Sequence, residues 1–324
     1  MDNQKLLLSQ KMMSIISRQS SSTISRYVSS NEIPQIEYSK KNIKYNISES
    51  RRILRNFIST DSKITKKIHT FYNFKGGSGK TTLCLQVAEH LALSGYKVLV
   101  IDTDPQGNLS SSLGFDITEN YITLFDVVIK KINPNRAIVK IFDGLECIPS
   151  NISSSRFDVM LHGLESPHIK FFENLSDIVK EYDFIFFDTS PYINYILRNC
   201  AYMSDVINVP CETQPLSLQA LKILFSDLNS FFTEVDKEEP FYNIIPSKYE
   251  DKYGTSAEVM SVLRKHYKEH LIPDFAVRKA EDFNVSSKLG LPLSCFAKSN
   301  SIALEDIVEL MHYIINISTL KKDD

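Results

Sequence analysis

No apolar run in this sequence approaches the ~18–20 residues that a membrane-crossing helix needs, which excludes a helical span. The apolar patch Leu6-Leu7-Leu8 is too short for the core of a signal peptide and has no small-residue cleavage site after it. Cysteine is sparse: five residues, at 84, 147, 200, 211 and 295, odd in number and never spaced as CxxC. That argues against a disulfide framework, a zinc ribbon and a thiolate-bridged iron–sulfur cluster, and for a reducing compartment. Neither sign of charge dominates. The net charge is −2 with 23% charged residues, so the chain is neither a disordered polyelectrolyte nor a uniformly basic nucleic-acid coat. With 324 residues, 43% of them apolar, it can fill one large α/β core or two domains. These bounds imply a soluble, cytoplasmic protein.

Glycine is absent from the first 75 residues. The same region is chemically distinct. Residues 1–66 hold 12 Lys and Arg, 5 Asp and Glu, and 14 serines, a balance of +7 against −9 in the remainder. This contrast predicts two modules, 1–66 and 67–324, with the basic one beside an acidic body and suited to contact a polyanion.

The second module alternates strands and helices. Residues 67–73 carry β-branched and aromatic side chains. Gly76, Gly77 and Gly79 follow at once, then a helical pattern over 81–93 closed by Gly95. KVLVID (97–102) is a short buried strand, so this stretch is one βαβ unit. FIFFD (184–188) is a second buried strand ending in an acid, and further strands are expected at 145–149, 206–210 and 242–246. Helices are expected at 217–232, 256–267 and 302–317, the last with a core-facing apolar stripe. The fold class is therefore α/β, a mostly parallel sheet covered by helices on both faces.

The segment Asn73-Phe74-Lys75-Gly76-Gly77-Ser78-Gly79-Lys80-Thr81-Thr82 sits between strand and helix. Phosphates need converging N–H donors, a cation and a helix N-terminus, and this segment offers all three. Lys80 can reach the β- and γ-phosphates and the Thr81 hydroxyl can bind Mg²⁺. The strict GxxxxGK[ST] pattern fails, because Phe74 stands where its first glycine belongs, and a second lysine, Lys75, precedes the glycines. Asp102 and Asp104 in VIDTDPQGN, and Asp188 in FIFFDTSP, end strands of the same sheet. In an open parallel sheet, strand ends share one rim, so the acids fall beside the loop where phosphate chemistry needs them.

KGGSGKTT, DTDPQGN and FIFFDTSP together resemble the deviant-Walker P-loop NTPases of the ParA family, which segregate plasmids and chromosomes. The resemblance spans about residues 67–317, with small departures at Ser78 and at Thr189-Ser190-Pro191. It implies ATP and Mg²⁺ as cofactors and a weak intrinsic ATPase. Nucleotide would be held by Lys75, Gly76, Gly77, Ser78, Gly79, Lys80, Thr81 and Thr82. It implies that Lys75 reaches across an ATP-sandwich homodimer, that Thr81, Asp102 and Asp188 hold the metal, and that Asp104 polarises the attacking water. Pro105 and Gln106 match the family's switch segment, and adenine contacts are implied near residues 246–249 and Pro273. The implied partners are DNA, bound without sequence preference, and a ParB-like centromere-binding protein that stimulates hydrolysis. Nucleoid association follows, with no membrane contact.

In the first module, residues 9–18 and 23–30 read as two short helices joined by a serine turn, with Ser20, Ser21 or Ser22 as N-cap. Thr23, Ser25, Arg26 and Tyr27 suit a recognition helix, and Lys40 and Lys41 a wing. A third helix is expected over 47–57, with Arg51, Arg52 and Arg55 on its surface. This run resembles a small winged helix-turn-helix domain of the MerR type, which implies operator binding and autorepression. Basic residues near 264–268 and at Arg278 and Lys279 are candidates for non-specific DNA contact. His266-Tyr267-Lys268-Glu269-His270 fits the HxxEH spacing but has no third ligand, and is read as no zinc site. Two rival roles remain. A MinD-like membrane-cycling ATPase would bind lipid through the last helix; a nucleotide-gated repressor would show negligible turnover.

Overall fold

The computed structural model describes residues 6–39, 42–58 and 63–319. Strands β1 (Leu7–Ser9), β2 (Ile36–Ser39) and β3 (Asn42–Asn46) form an antiparallel sheet in the order β1-β3-β2. Strands β4 (Ile68–Phe71), β5 (Val98–Asp102), β6 (Val139–Phe142), β7 (Leu145–Ile148), β8 (Phe184–Asp188), β9 (Val206–Glu212) and β10 (Phe241–Ser247) form the main sheet. Its order is β10-β9-β4-β8-β5-β7-β6, parallel throughout except for the edge strand β6. Each expected strand of the second module is present. The additional strand β6 has half its residues exposed and lacks the apolar run that marks the others.

Period two explains why the sheet is covered on both sides. Val98, Val100, Phe184 and Phe186 enter one apolar cluster, with the helices Lys80–Leu93 and Ile302–Ser318. Leu99, Ile101, Ile185 and Phe187 face the opposite cluster, under the helices Phe157–His162, Lys170–Val179 and Tyr195–Met203. A third cluster joins β9 and β10 to the helices Pro215–Glu234 and Gly254–His266. The apolar residues Leu304, Ile307, Val308, Met311 and Ile314 of the last long helix are buried in the first cluster, so that stripe is committed to the core and not free to lie on a bilayer.

The N-terminal segment has helices Gln10–Ser17, Ser21–Ser30 and Ile47–Phe57. Each N-terminus is capped by a side-chain oxygen: Ser9, Ser20 and Asn46 accept from the amides of Met12, Thr23 and Glu49. Arg18, in the left-handed region, ends the first helix. The three strands make this segment α+β rather than purely helical.

The segment does not stand apart from the body. Met13, Ile16, Ile24, Val28, Ile53 and Leu54 belong to the same buried cluster as Leu91, Tyr96 and Met311. His312 Nε2 donates to the Ile16 carbonyl at 2.8 Å, and Arg18 pairs with Glu309. Arg51, expected on the surface, is instead half-buried. Its guanidinium donates to the carbonyls of Ala92, Gly95 (3.3 Å) and Tyr96 (3.1 Å), at the end of the helix Lys80–Leu93. Gly144 leaves the room: a Cβ there would collide with the guanidinium. A helix C-terminus presents unsatisfied carbonyls and partial negative charge, which a cation satisfies.

Arg51→Ala should therefore lower stability by about 1–3 kcal/mol, the cost of stranding charge-assisted acceptors. Circular-dichroism melting of the full chain should register a Tm loss of several degrees. An unchanged Tm would mean that the carbonyls find water and the guanidinium contributes nothing.

Candidate active site at the strand rim

The glycine-rich loop leaves β4 and turns into the helix Lys80–Leu93. Gly79 takes φ +96° immediately before that helix, a conformation that disfavours any side chain. Gly76 and Gly77 line the open side of the loop, while Ser78 and Lys80 are buried. Ser78 is anchored through its carbonyl, which accepts from Ser247 Oγ at 2.9 Å. Its own hydroxyl is buried without a partner among the described residues. The loop opens onto a cleft of about 910 Å³ lined by Gly76, Gly77, Gly79, Lys80, Thr81 and Thr82, with Asp104, Pro105 and Gln106 among the residues opposite. That volume suits a nucleotide-sized ligand.

β5 and β8 are neighbours in parallel register, with Asp102 opposite Asp188. Both carboxylates are buried below the cleft. Asp188 Oδ2 accepts from Thr81 Oγ1 at 2.7 Å, and its Oδ1 has no partner among the described residues. Asp102 accepts from the Asp104 amide (3.1 Å), the Ser110 amide (2.9 Å) and the Ser110 hydroxyl (2.7 Å). Burial pushes both acids upward, and the Asp102 charge raises Asp188 further; Thr81 and Lys80 pull it back. Burial pushes the Lys80 ammonium down, countered by Asp188 and Asp104. A desolvated carboxylate pair with an open acceptor beside a threonine hydroxyl is a setting that a hard divalent cation completes. The donor set therefore fits magnesium, and the loop fits phosphate.

The loop residues, Thr81 and the three acids are thus brought together. Lys75 is turned elsewhere within its own chain. Its ammonium pairs with Glu212 and donates to Gln214 Oε1 at 2.9 Å. Glu212 also pairs with Lys248 at 2.9 Å, and Lys248 lines the cleft. Sequence reading missed Glu212, because the strand was expected to end at Pro210. Lys248 falls in the 246–249 segment expected near the adenine, but its pairing with Glu212 was not expected. Thr23, Ser25, Arg26 and Tyr27 lie on the helix Ser21–Ser30, with Ser25 and Arg26 exposed. Thr23 bonds to Ser20, and the Tyr27 ring packs edge-on against Phe57 at 5.2 Å. Lys40 and Lys41 lie outside the described residues. Arg278 is committed to Asp306 and Glu305, and Lys279 pairs with Glu250. The His270 ring stacks on Phe225 at 5.6 Å.

Behind the loop, Gln86 donates to Glu89 (2.6 Å) and Ser286 (3.0 Å) and accepts from the Leu293 amide. Burial raises the Glu89 carboxyl from 4.5 to about 8. Between those values the folded chain keeps a proton that the unfolded chain has lost. Stability from this group therefore falls as pH rises through that window and levels off above it. Glu89→Gln should melt several degrees above wild type near pH 8 and within about a degree of it near pH 5. A gap that does not change with pH would contradict the assignment.

Three comparisons place this geometry among known proteins. A family model described as an AAA domain matches residues 66–239. The cell division protein PomZ of Myxococcus xanthus is 29% identical over 89% of each chain. The virulence plasmid ParA family protein pGP5-D of Chlamydia trachomatis is 32% identical over 77% of this chain and 95% of its own. In fold, the ATP complex of a variant of McdA from Cyanothece superposes with a TM-score of 0.69. It is 20% identical and covers 80% of this chain and 100% of that one.

Proposed function

The chain belongs to the ParA-type AAA-domain family of partition ATPases, and from that premise we propose that it is an ATP-driven DNA partition protein working as a nucleotide-dependent dimer. The observation that carries the reading is the buried pair Asp102 and Asp188 beside Lys80 and Thr81, with one Asp188 oxygen left open among the described residues. ATP enters the cleft with its phosphates on the amides of residues 76–82. Thr81 and Asp188 would hold magnesium, which would supply charge neutralisation to the phosphates, with Asp102 adding negative charge nearby. Lys80 balances the transferring phosphoryl group, and Asp104, on the cleft wall, polarises the attacking water. Turnover is slow, because Lys80 alone does not complete the cation set around the γ-phosphate.

Lys75 supplies the missing cation to a partner copy. In the single chain it rests on Glu212, and it leaves that carboxylate to reach the partner's phosphates. ATP is then the ligand whose charge two chains share, and its cleavage loosens them. The dimer binds DNA without sequence preference until a ParB-like protein stimulates hydrolysis. Ser25 and Arg26 on the exposed side of the helix Ser21–Ser30 support a second DNA surface, for the operator, with Thr23 and Tyr27 on the same helix.

Lys75→Ala should abolish ATP-dependent dimers in sedimentation analysis while leaving the monomer folded; equal dimerisation without Lys75 would remove the trans-lysine step. Gel shifts of the full chain on operator and random DNA should give two signatures. Random DNA should shift only with ATP, with a steep salt dependence, and operator DNA should shift with apo or ADP protein. Operator binding with no ATP turnover under any condition would favour the repressor role instead.

A further inference from the structure

We propose that Ser110 is a positioning residue for hydrolysis: through Asp102 it holds the Asp104 backbone in place at the cleft wall. The proposal rests on the nucleotide-hydrolysing reading of this site and names a residue that no motif above includes.

The two buried acids of the rim are bonded differently. Asp188 receives one hydroxyl and keeps an oxygen open among the described residues. Asp102 receives three donors, all from its own chain just downstream. Two of the three come from Ser110, one from its amide and one from its hydroxyl, both to Oδ2. The remaining oxygen, Oδ1, takes the Asp104 amide. Asp102, expected among the metal ligands, is thus turned toward the protein, and Asp188 is the acid with an open oxygen among the described residues.

The Ser110 hydroxyl is used twice. While donating to Asp102, it accepts from the Ser150 amide at 2.9 Å, just beyond the end of β7. A single fully buried hydroxyl therefore ties the end of β5, the short helix Asn108–Ser112 and the loop after β7. Asp104 sits among three such constraints, one of them its carbonyl, which accepts from the Gly107 amide at 2.9 Å. Its amide is fixed by Asp102, and its Oδ1 accepts from the Gln106 amide at 3.0 Å. A hydroxyl is the group that can both donate to a carboxylate and accept from an amide here. Alanine would leave Asp102 short of a donor and the Ser150 amide short of an acceptor. Asp102 would keep the two backbone amides but lose the hydroxyl that ties it to the loop after β7, and its hold on the Asp104 amide would loosen.

The test is amide hydrogen exchange on the nucleotide-free full chain, combined with kinetics. Ser110→Ala should raise exchange at Asp104, not only at its direct partner Ser150, while the β5 amides of Leu99 and Val100 stay protected. The kcat for ATP should fall about 10–100-fold, the range seen when a group that orients a reacting residue is removed. Affinity for a fluorescent AMPPNP analogue should change less than about threefold. Ser110→Thr should restore both readouts. In an Asp104→Ala background, Ser110→Ala should have no further effect on kcat. Unchanged Asp104 exchange in Ser110→Ala, or kcat losses that add in the double variant, would overturn the proposal. If Ser110→Ala does not fold, Ser110→Cys, a weaker donor, takes its place: intermediate Asp104 exchange supports the role and wild-type exchange contradicts it. A wild-type chain without ATPase activity would refute the nucleotide reading, while the exchange comparison would still decide the role of Ser110.

Discussion

Two carboxylates held side by side under the rim of the sheet are the constraint on which the rest of this molecule depends. Parallel pairing of β5 with β8 puts Asp102 opposite Asp188 and buries both. Like charges in a desolvated place are costly unless donors and cations surround them. The chain provides some of that compensation: Ser110 and the Asp104 amide at one acid, Thr81 and the Lys80 ammonium near the other. It stops short of full compensation, since Asp188 Oδ1 is left open among the described residues. The deficit has a chemical identity, a hard cation brought in with phosphate. A site completed by its ligand also couples occupancy to structure, because Lys80 and Thr81 belong to the helix behind the loop and Asp104 is tied to Asp102.

That helix, Lys80–Leu93, connects the site to the remainder of the fold. Most of its residues are buried, including Gln86, Glu89 and His90. Its amide end faces the cleft, and its carbonyl end is covered by Arg51 from the N-terminal segment. An anion at the first and a cation at the second both follow the direction of the helix dipole. The basic segment, chemically so unlike the body, is therefore built against the far end of the helix that opens on the cleft. The C-terminal helix grips the same region through Met311 and, by His312 and Glu309, the first N-terminal helix.

Much of the site was legible in the sequence because its parts are local. Glycines, Lys80 and Thr81 lie in one short segment, and Asp102 and Asp188 each end a strand whose buried run is unmistakable. Parallel topology then brings them to one rim without further information. The second helix of the N-terminal segment was legible for the same reason, through its serine cap. What was not legible is held by long-range contacts. Arg51 looks like a surface residue in a basic run, and only the approach of Gly144 and the carbonyls after Ala92 makes it half-buried. Glu212 follows a proline inside an apolar run, and its role appears only when Lys75 and Lys248 converge on it. β6 is short, with its first two residues exposed and only Phe142 buried, so period and hydrophobicity carried little sign of it. Ser110 lies among serines with no distinguishing spacing, and its importance comes from Asp102 and Ser150.

The central claim is that this buried acid pair and its loop form an incomplete site that magnesium and ATP complete. Isothermal titration of ATP into the full chain, with and without magnesium, tests it most directly. The account predicts saturable uptake of ATP with magnesium present, and a marked loss of affinity when magnesium is withheld or Asp188 is replaced by asparagine. A folded chain that takes up no adenine nucleotide in the presence of magnesium would contradict it.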